Sequence, residues 1–301
     1  MILDLIIIGA GPAGITAGVY AARKKMDFLM LTKDIGGQAI WSSDVENYPG
    51  YQFITGPDLM TKFQEHMEKY GIHVKEKEEV IELEKKGNIV YIKTTKETYE
   101  AKTTIIAAGK KAKEIGVPGE KEYKNKGVAY CVTCDGPLFA EKDVAVVGGG
   151  NSALDAAIQM MNIANKVYLI NITDKFLGDS IMQEKVKNNP KVKILHNTRV
   201  ESITGDKFVK GINIDTQGRK DTLDVKGVFI DIGLVPNSGF AKGLDINEKG
   251  EIKVNCANET NVPGVFAAGD VTSVPEKQIV IAAGDGAKAA LGAFRYLARL
   301  K

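Results

Sequence analysis

The chain has 301 residues, a length that suits one large domain or two of ordinary size. Hydrophobic residues make up 44% of it and charged residues 26%, which is the balance of a globular protein with a buried core. Its net charge of +2 gives no electrostatic reason to expect a nucleic acid or an anionic membrane as a partner.

The first residues, MILDLIIIGAG, are apolar but lack the pattern of a signal peptide, because there is no basic start and Asp4 interrupts the apolar run. No stretch of the sequence is long and apolar enough to cross a bilayer. Three cysteines are too few for a disulfide framework. We therefore expect a cytoplasmic protein, and in that reducing setting a close cysteine pair is typically catalytic or metal-binding.

In chain order, the first predicted elements are those of a nucleotide-binding unit. LDLIII is predicted to be a strand, GAGPAG at 9–14 a glycine turn, and a small-residue helix and the strand MDFLMLT follow. The next helix is predicted to be capped by Thr55, with Pro57 in its first turn, and to end at Gly71. From Val74 to Ile106, β-branched residues and alternation predict a β-meander.

The same order of elements returns after Lys142, where DVAVVGGGNSALDAAIQMM again predicts a strand, a glycine turn and a helix, followed by short strands. The last segment has no glycine turn of this kind, so we expect it to complete the first domain. The prediction is an α/β fold with two Rossmann-like, three-layer (ββα) nucleotide-binding domains. The first would comprise residues 1–113 and 239–301, and the second, residues 114–238, would be inserted in it.

The glycine turn at 9–14 follows a strand and opens a helix, which is the context in which such a turn binds a dinucleotide. Gly9 permits the tight turn, Gly11 lets a pyrophosphate approach the backbone, and Gly14 lets helix and strand pack closely. The free N–H groups at the helix start would hold the phosphates. The alternative is a glycine turn without a ligand. Thr32 stands where a ribose-binding acid is usual, so this turn alone does not separate FAD from NAD.

The stretch TNVPGVFAAGD, residues 260–270, favours FAD. A strand delivers Asp270 at a turn, where its carboxylate can accept a hydrogen bond from a ribityl hydroxyl. The next helix is predicted to begin near Gln278 and Ile279, and its first N–H groups can face the side of the flavin where charge accumulates on reduction. The alternative is an ordinary strand, turn and helix.

Together these motifs resemble the low-molecular-weight flavin thioredoxin reductases and the reductase half of the alkyl hydroperoxide reductase flavoproteins. The motifs that carry the resemblance follow one order over essentially the whole chain: GAGPAG (9–14), GGQ (36–38), VENYPG (45–50), AAG (107–109), CVTCD (131–135), GGGNSA (148–153), GVFAAGD (264–270) and KQI (277–279). The resemblance implies a homodimer and FAD bound by the first domain. The FAD-binding residues it implies are Gly9, Gly11, Pro12, Ala13, Gly14, Gly37, Gln38, Ser43, Asn47, Gly109, Gly269, Asp270, Gln278 and Ile279, with Val80 and Ala108 near the adenine.

Cys131 and Cys134 form a CxxC pair, which could serve zinc, structure or redox exchange. Zinc needs four ligands, and Cys256 and the three histidines stand at no ligand spacing, so no metal is expected. A disulfide that closes so short a loop would stabilise the fold by about 2 kcal/mol or less. Redox exchange remains. By the family pattern, Cys134 reacts with the flavin and Cys131 with the substrate disulfide. Asp135 would manage a proton, its alternative role being to form a turn.

The CxxC pair lies in the inserted domain, so it must meet both the flavin and a protein substrate. The family achieves this by rotating the inserted domain, here about hinges expected near Glu114 and Asn237.

The second glycine turn, at 148–153, suggests a nicotinamide cofactor, but specificity is set after the next strand. NADPH-dependent relatives carry a His-Arg-Arg run and a further arginine there, whereas residues 171–177 are NITDKFL, with Lys175 as the one cation. Without these arginines, the 2′-phosphate of NADPH would lose several charge-assisted contacts, each worth about 1.5–3 kcal/mol. We therefore do not expect NADPH to be the electron donor.

Two electron donors remain. NADH could bind with Asn171 or Asp174 on its ribose. Reduced ferredoxin is the donor in a subfamily that this sequence resembles in lacking the specificity run, and we favour it. An acidic ferredoxin would need a basic surface, for which Lys110, Lys111 and Lys113 are candidates, although a solvated charge run is the simpler interpretation.

The predicted function is that of a FAD-dependent thiol–disulfide oxidoreductase that reduces thioredoxin or a thioredoxin-like protein through Cys131 and Cys134. One alternative is an NADH-dependent reductase of a thioredoxin or peroxiredoxin system. Against it, we expect no N-terminal thioredoxin-like extension with a second CxxC. The other is a flavin-binding redox sensor without turnover, which would have no need of both thiols.

Overall fold

The structure is a computed structural model that describes residues 2–42 and 45–300, without the side chains of Trp41 and Cys134. Its strands, in chain order, are β1 (Ile2–Ala10), β2 (Phe28–Ile35), β3 (Val74–Lys75), β4 (Val80–Lys86), β5 (Ile89–Thr94), β6 (Thr98–Ile106), β7 (Lys110–Ala112), β8 (Val128–Ala129), β9 (Asp143–Val147), β10 (Lys166–Ile170), β11 (Val192–Leu195), β12 (Thr198–Gly205), β13 (Val209–Thr216), β14 (Arg219–Asp224), β15 (Gly227–Ile230), β16 (Leu234–Pro236) and β17 (Val265–Ala267).

The α-helices are α1 (Pro12–Arg23), α2 (Gly56–Lys69), α3 (Val132–Asp135), α4 (Asn151–Met161), α5 (Ser180–Lys187) and α6 (Ile279–Arg299). Short 3₁₀ helices lie at Gly37–Trp41, Gly136–Phe139 and Gly269–Val271. None of the helices in the described part of the chain is long and apolar enough to cross a membrane.

The chain divides into two compact units, of which unit 1 is Met1–Lys111 with Val235–Lys301 and unit 2 is Ala112–Leu234. The sequence places the boundaries a few residues later, after 113 and 238. β7 and β16 pair as a separate two-stranded sheet.

Unit 1 is built on a sheet ordered β3-β2-β1-β6-β5-β4, in which β17 also pairs with β6. β1 is parallel to β2 and β6, and β17 is parallel to β6. The antiparallel meander consists of β4, β5 and β6, whereas β3, which was predicted as part of it, pairs parallel with β2. β1 is buried on both faces, which is why its sequence is a continuous apolar run. On one face pack α1 and α6, whose small residues, such as Ala17 and Ala289, allow close approach.

The helix α2 follows its sequence signals closely. Thr55 is the N-cap, and its side chain accepts a hydrogen bond from the N–H of Asp58 at 3.2 Å. A proline lies in the first turn, and the helix ends just before Gly71, which has a φ of +58°.

Unit 2 repeats the plan with a five-stranded parallel sheet ordered β11-β10-β9-β15-β8. The apolar face of α4, which includes Leu154 and Met160, packs on one side of this sheet. The antiparallel sheet β12-β13-β14 contributes Ile203, Ile212 and Leu223 to a second core with β9 and β15. The predicted α/β class with two Rossmann-like units is therefore confirmed.

Candidate active site

The glycine turn of unit 1 joins β1 to α1 by direct backbone packing. A Cβ on Gly9 would lie 2.3 Å from the carbonyl oxygen of Ala107, and Gly9 has a φ of +104°. A Cβ on Gly14 would lie 1.8 Å from the carbonyl oxygen of Gly9. Neither position can accept a side chain without moving backbone, so these two glycines hold the helix against the strand.

At Gly11 the same turn is open. A Cβ there would have the Cα of Gly37 as a neighbour at 4.0 Å, and Gly37 begins the 3₁₀ helix after β2. Gly11 is the N-cap of α1, Pro12 opens the helix, and no described side chain caps it. The uncapped N–H groups of this first turn can therefore hold the diphosphate of a dinucleotide.

The turn that carries Asp270 meets the start of α1. A Cβ on Gly269 would lie 3.0 Å from the Cβ of Ala13, so the two turns are neighbours. Burial raises the pKa of Asp270, while Lys277 and Lys110 act in the opposite direction. A half-buried carboxyl of this kind is suited to accepting a hydrogen bond from a ligand hydroxyl.

Two side chains expected at the cofactor are held by hydrogen bonds. The Nε2 of Gln38 donates to the carbonyl oxygen of Lys110, directly after Gly109, at 2.7 Å. The Nδ2 of Asn47 donates to the Oε1 of Gln278 at 3.1 Å. Residues far apart in sequence are thereby fixed relative to one another.

The remaining predicted cofactor contacts also belong to unit 1, except that Ser43 lies outside the described residues. Asn237 donates a hydrogen bond through Nδ2 to the carbonyl oxygen of Ala108 at 2.8 Å. Ile279 is the first residue of α6. Val80 begins β4, and its side chain is buried in the core under the meander.

The CxxC motif of unit 2 lies at the start of α3. Cys131 is disulfide-bonded, and its carbonyl oxygen accepts a hydrogen bond from the N–H of Asp135 at 3.1 Å. Cys134 belongs to α3, but its side chain lies outside the described part of the chain. Burial raises the pKa of Asp135, which favours the protonated carboxyl. Cys256, in unit 1, is free and exposed.

Asn171 follows β10 and closes its own loop. Its side chain is 2% exposed, and its Nδ2 donates to the carbonyl oxygens of Thr173 and Lys175 at 3.2 Å and 2.9 Å. Its Oδ1 accepts hydrogen bonds from the N–H and hydroxyl of Thr173. A Cβ on Gly149 would lie 2.2 Å from this Oδ1. The amide that could have bound a ribose is therefore committed to the loop.

The same loop presents two apolar side chains at its surface. Ile172 is 72% exposed and Leu177 is 77% exposed. The N–H of Leu177 donates to the carbonyl oxygen of Gly149 at 2.8 Å, which ties the loop to the glycine turn. A 2′-phosphate would find no guanidinium here.

Lys110 is not available as a surface docking residue, contrary to the sequence interpretation. Its side chain is 14% exposed, and its Nζ lies 3.0 Å from the Oε1 of Glu251. Lys110 is paired with a buried carboxylate and is therefore not free to bind a partner protein. Only Lys111 and Lys113 of the proposed basic group are exposed.

The sequence interpretation did not identify Asp231, which directly follows β15. Its N–H donates to the carbonyl oxygen of Val147, and a Cβ on Gly148 would lie 2.2 Å from the carbonyl oxygen of Asp231. Its Oδ2 is buried and has no hydrogen-bond partner among the described residues. Burial, and then the carboxylate of Asp155, raise the pKa of Asp231 to about 7. Sequence has no signal for this, because an aspartate after a strand is ordinary.

We expect Asp231→Asn to make unit 2 more stable at pH 8 but not at pH 4. The folded pKa of about 7 lies above the ordinary value of about 3.9, so the wild-type protein loses stability as pH rises between them. The free energy of unfolding of the variant does not fall in this way. Its excess over the wild-type value should therefore grow with pH, to at most about 4 kcal/mol. Urea unfolding followed at several pH values measures it, and a difference that does not change with pH would contradict the assignment.

Among the described residues, no group of three or more His, Cys, Asp or Glu side chains is arranged to hold a metal ion.

Comparison with known proteins extends over almost the whole chain. The sequence model of the family described as pyridine nucleotide-disulphide oxidoreductase matches residues 3–286. A protein of Ferdinandcohnia aciditolerans named NADH dehydrogenase is 42% identical over 299 residues, covering 98% of this chain and 58% of that protein. A component of the alkyl hydroperoxide reductase of Pseudomonas aeruginosa is 39% identical, with the same coverage of 98% and 58%. The chain thus spans little more than half the length of these two relatives.

Solved structures are similar over their full length. The thioredoxin reductase of Lactococcus lactis is 34% identical, with a TM-score of 0.87 and coverage of 99% of both chains. A ferredoxin-flavin thioredoxin reductase of Clostridium acetobutylicum is 32% identical, with a TM-score of 0.55 and coverage of 99% of this chain and 98% of that one. Because the similarity runs through both units, this chain belongs to the pyridine nucleotide-disulphide oxidoreductase family, in its thioredoxin reductase branch.

Proposed function

We propose that this protein is a FAD-dependent thiol–disulfide oxidoreductase that reduces thioredoxin or a thioredoxin-like protein. The observation that carries the proposal is the disulfide-bonded Cys131 at the start of α3, in a chain of this family. The sensor without turnover has no comparable support, since binding a flavin does not need a cysteine pair.

The residues of unit 1 fit FAD. The start of α1 is open for a diphosphate, and the half-buried side chain of Asp270 accepts no hydrogen bond from the described residues. We assign the predicted contacts of unit 1 to this cofactor. When bound, FAD would supply a group that can accept and pass on two electrons. Unit 1 itself orients it through the glycine turn, Gln38, Asn47 and Gln278.

The dithiol chemistry is an exchange between two cysteine pairs. In the reduced protein, the thiolate of Cys131 attacks one sulfur of the substrate disulfide, and the other substrate sulfur leaves as a thiolate. The thiolate of Cys134 then attacks Cys131, which restores the protein disulfide and releases the substrate as a dithiol. Two electrons and two protons pass to the substrate. We assign one of these protons to Asp135, because burial raises the pKa of this carboxyl.

The donor that the geometry favours is reduced ferredoxin. Asn171 is committed to its own loop, and residues 171–177 contain no arginine. The second glycine turn therefore lacks a clamp for the 2′-phosphate of NADPH, and Asp174 is the remaining candidate for the ribose of NADH. A similar protein of known structure is a ferredoxin-flavin thioredoxin reductase. Lys111 and Lys113 would then be the exposed cations for an acidic partner.

NADH is the second candidate donor. Two observations favour it: the glycine turn at 148–153 is intact, and a relative 42% identical is named NADH dehydrogenase. A homodimer, and a rotation of the inserted unit about Glu114 and Asn237, also belong to the proposal through the family resemblance.

An anaerobic mixing experiment tests the function and the donor together. The FAD-loaded protein is mixed with NADPH, NADH or reduced ferredoxin, and the visible flavin absorbance is followed, with thioredoxin disulfide added afterwards. We expect ferredoxin to bleach the flavin rapidly and two thiols to appear on thioredoxin for each reduced flavin that is reoxidised. NADPH should be at least about 100-fold slower, since several charge-assisted contacts are missing.

Each other outcome has a definite meaning. Rapid bleaching by NADH alone makes the second donor the correct one. Rapid bleaching by NADPH overturns the interpretation of residues 171–177. A flavin that is bleached but never passes electrons to any disulfide substrate contradicts the oxidoreductase and leaves the sensor.

A further inference from the structure

A buried cluster of three charges lies in unit 1, and neither the fold nor the dithiol chemistry accounts for it. The Oε1 of Glu251 lies 3.0 Å from the Nζ of Lys110 and 3.1 Å from the Nζ of Lys277. The side chains are 8%, 14% and 23% exposed, respectively. We call Glu251, Lys110 and Lys277 the charge triad.

The triad is built to keep its charges. The Oε2 of Glu251 accepts a hydrogen bond from the Nδ2 of Asn247 at 2.8 Å, so both carboxylate oxygens are satisfied. Burial alone would raise the pKa of Glu251, but the hydrogen bonds from Asn247, Lys110 and Lys277 outweigh it and lower the pKa to about 2. A buried ion cluster is weak evidence of a stabilising role, because apolar side chains usually serve stability equally well. A functional reason is therefore needed.

The triad connects the segments that carry predicted cofactor contacts. The carbonyl oxygen of Lys110 holds the amide of Gln38 at 2.7 Å. Lys277 directly precedes Gln278, which bonds Asn47, and its Nζ also donates to the carbonyl oxygen of Thr272 at 2.5 Å. Glu251 thus joins the segment after β6 to the segment before α6.

The triad also acts on Asp270. The Nζ of Lys277 donates to the carbonyl oxygen of Thr272, two residues after Asp270. The charges of Lys277 and Lys110 oppose the effect of burial on the pKa of Asp270, whereas Asp285 and Glu251 raise that pKa. The triad itself carries two cations and one anion, so the loss of one lysine makes the surroundings of Asp270 more negative and the loss of Glu251 makes them more positive. A net positive charge favours the reduced, more negative state of a bound flavin.

We propose that Glu251 is a positioning residue that holds Lys110 and Lys277 beside Asp270, and that the charge of the triad sets the reduction potential of the FAD. This inference rests on the proposed binding of FAD to unit 1, but not on the identity of the electron donor or of the disulfide substrate.

Spectroelectrochemical titration of the purified FAD-loaded protein tests the proposal. Lys277→Met removes a positive charge and should lower the flavin midpoint potential. Glu251→Gln removes the negative charge and should raise it. We expect each shift to equal about a tenfold change in the ratio of oxidised to reduced flavin at a fixed potential, which is about 30 mV for a two-electron couple. Lys277→Arg should restore most of the wild-type value.

Lys242→Met is the matched control, because Lys242 pairs with Glu82 on the surface of the same unit and its side chain is 69% exposed. Its potential should remain at the wild-type value. A role in structure alone would lower FAD affinity in both triad variants without shifting the potential in opposite directions.

The two failures can be told apart. If the wild-type protein neither retains FAD nor binds it on reconstitution, the proposed function fails. If the wild-type protein binds FAD but Lys277→Met and Glu251→Gln leave the potential unchanged or shift it in one direction, only this inference fails. Should Glu251→Gln not fold, Lys277→Met and Lys277→Arg still decide the matter.

Discussion

Cys131→Ser is expected to abolish the reduction of thioredoxin-like disulfides while leaving FAD bound and reducible. A hydroxyl cannot replace the thiolate in disulfide exchange, so turnover should fall by about three orders of magnitude or more. The measurement is the anaerobic mixing experiment described above, with the donor that bleaches the wild-type flavin and with the flavin spectrum recorded in parallel. Cys134→Ser should have the same effect on turnover.

The control for this prediction is Cys256→Ser. Cys256 is free, exposed and located in unit 1, so its loss should leave turnover at the wild-type level. Turnover by Cys131→Ser within tenfold of the wild-type rate would show that another group carries the electrons.

Gly286→Ala is expected to weaken FAD binding strongly, whereas Gly284→Ala, two residues earlier on α6, is expected to stabilise the protein. A Cβ on Gly286 would lie 2.0 Å from the carbonyl oxygen of Ala13 and 2.9 Å from its carbonyl carbon. These are backbone atoms of the first turn of α1, which therefore has to move. Overpacking of this kind costs about 1–3 kcal/mol. Because the same turn offers its N–H groups to the diphosphate, FAD affinity should fall at least about tenfold.

A Cβ on Gly284 would meet nothing within 4 Å, and this helical position should gain about 0.5–1 kcal/mol from alanine. Urea unfolding and FAD titration of the apoprotein measure both effects. Equal FAD affinity in the two variants would mean that the contact between α1 and α6 does not shape the cofactor site.

Local signals predicted the elements around the cofactor site well. β1 is buried on both faces and its sequence is an apolar run, the α2 cap at Thr55 is where sequence places it, and α6 begins at Ile279. Each of these features depends on residues that are close in sequence, so periodicity and capping rules suffice.

What the sequence did not predict are contacts between distant residues. Lys110 belongs to a run of lysines that is typical of an exposed surface, yet Glu251, 141 positions later, buries its charge. Asn171 stands where a ribose-binding acid is usual, but its side-chain Nδ2 lies 3.2 Å from the Nδ1 of His196, 25 positions later. Neither outcome can be read from the segment in which the residue lies.

The sequence by itself determined the two nucleotide-binding units, the cysteine pair and the absence of an arginine clamp for NADPH, because motifs of fixed spacing encode them. Only the tertiary structure decided that Glu251 gathers Lys110 and Lys277, and that Asp231 is left with a buried oxygen and a raised pKa. The physical reason is that the protonation and pairing of a charged group depend on burial and on its neighbours in space. Chain folding brings those neighbours together from positions that no local pattern connects.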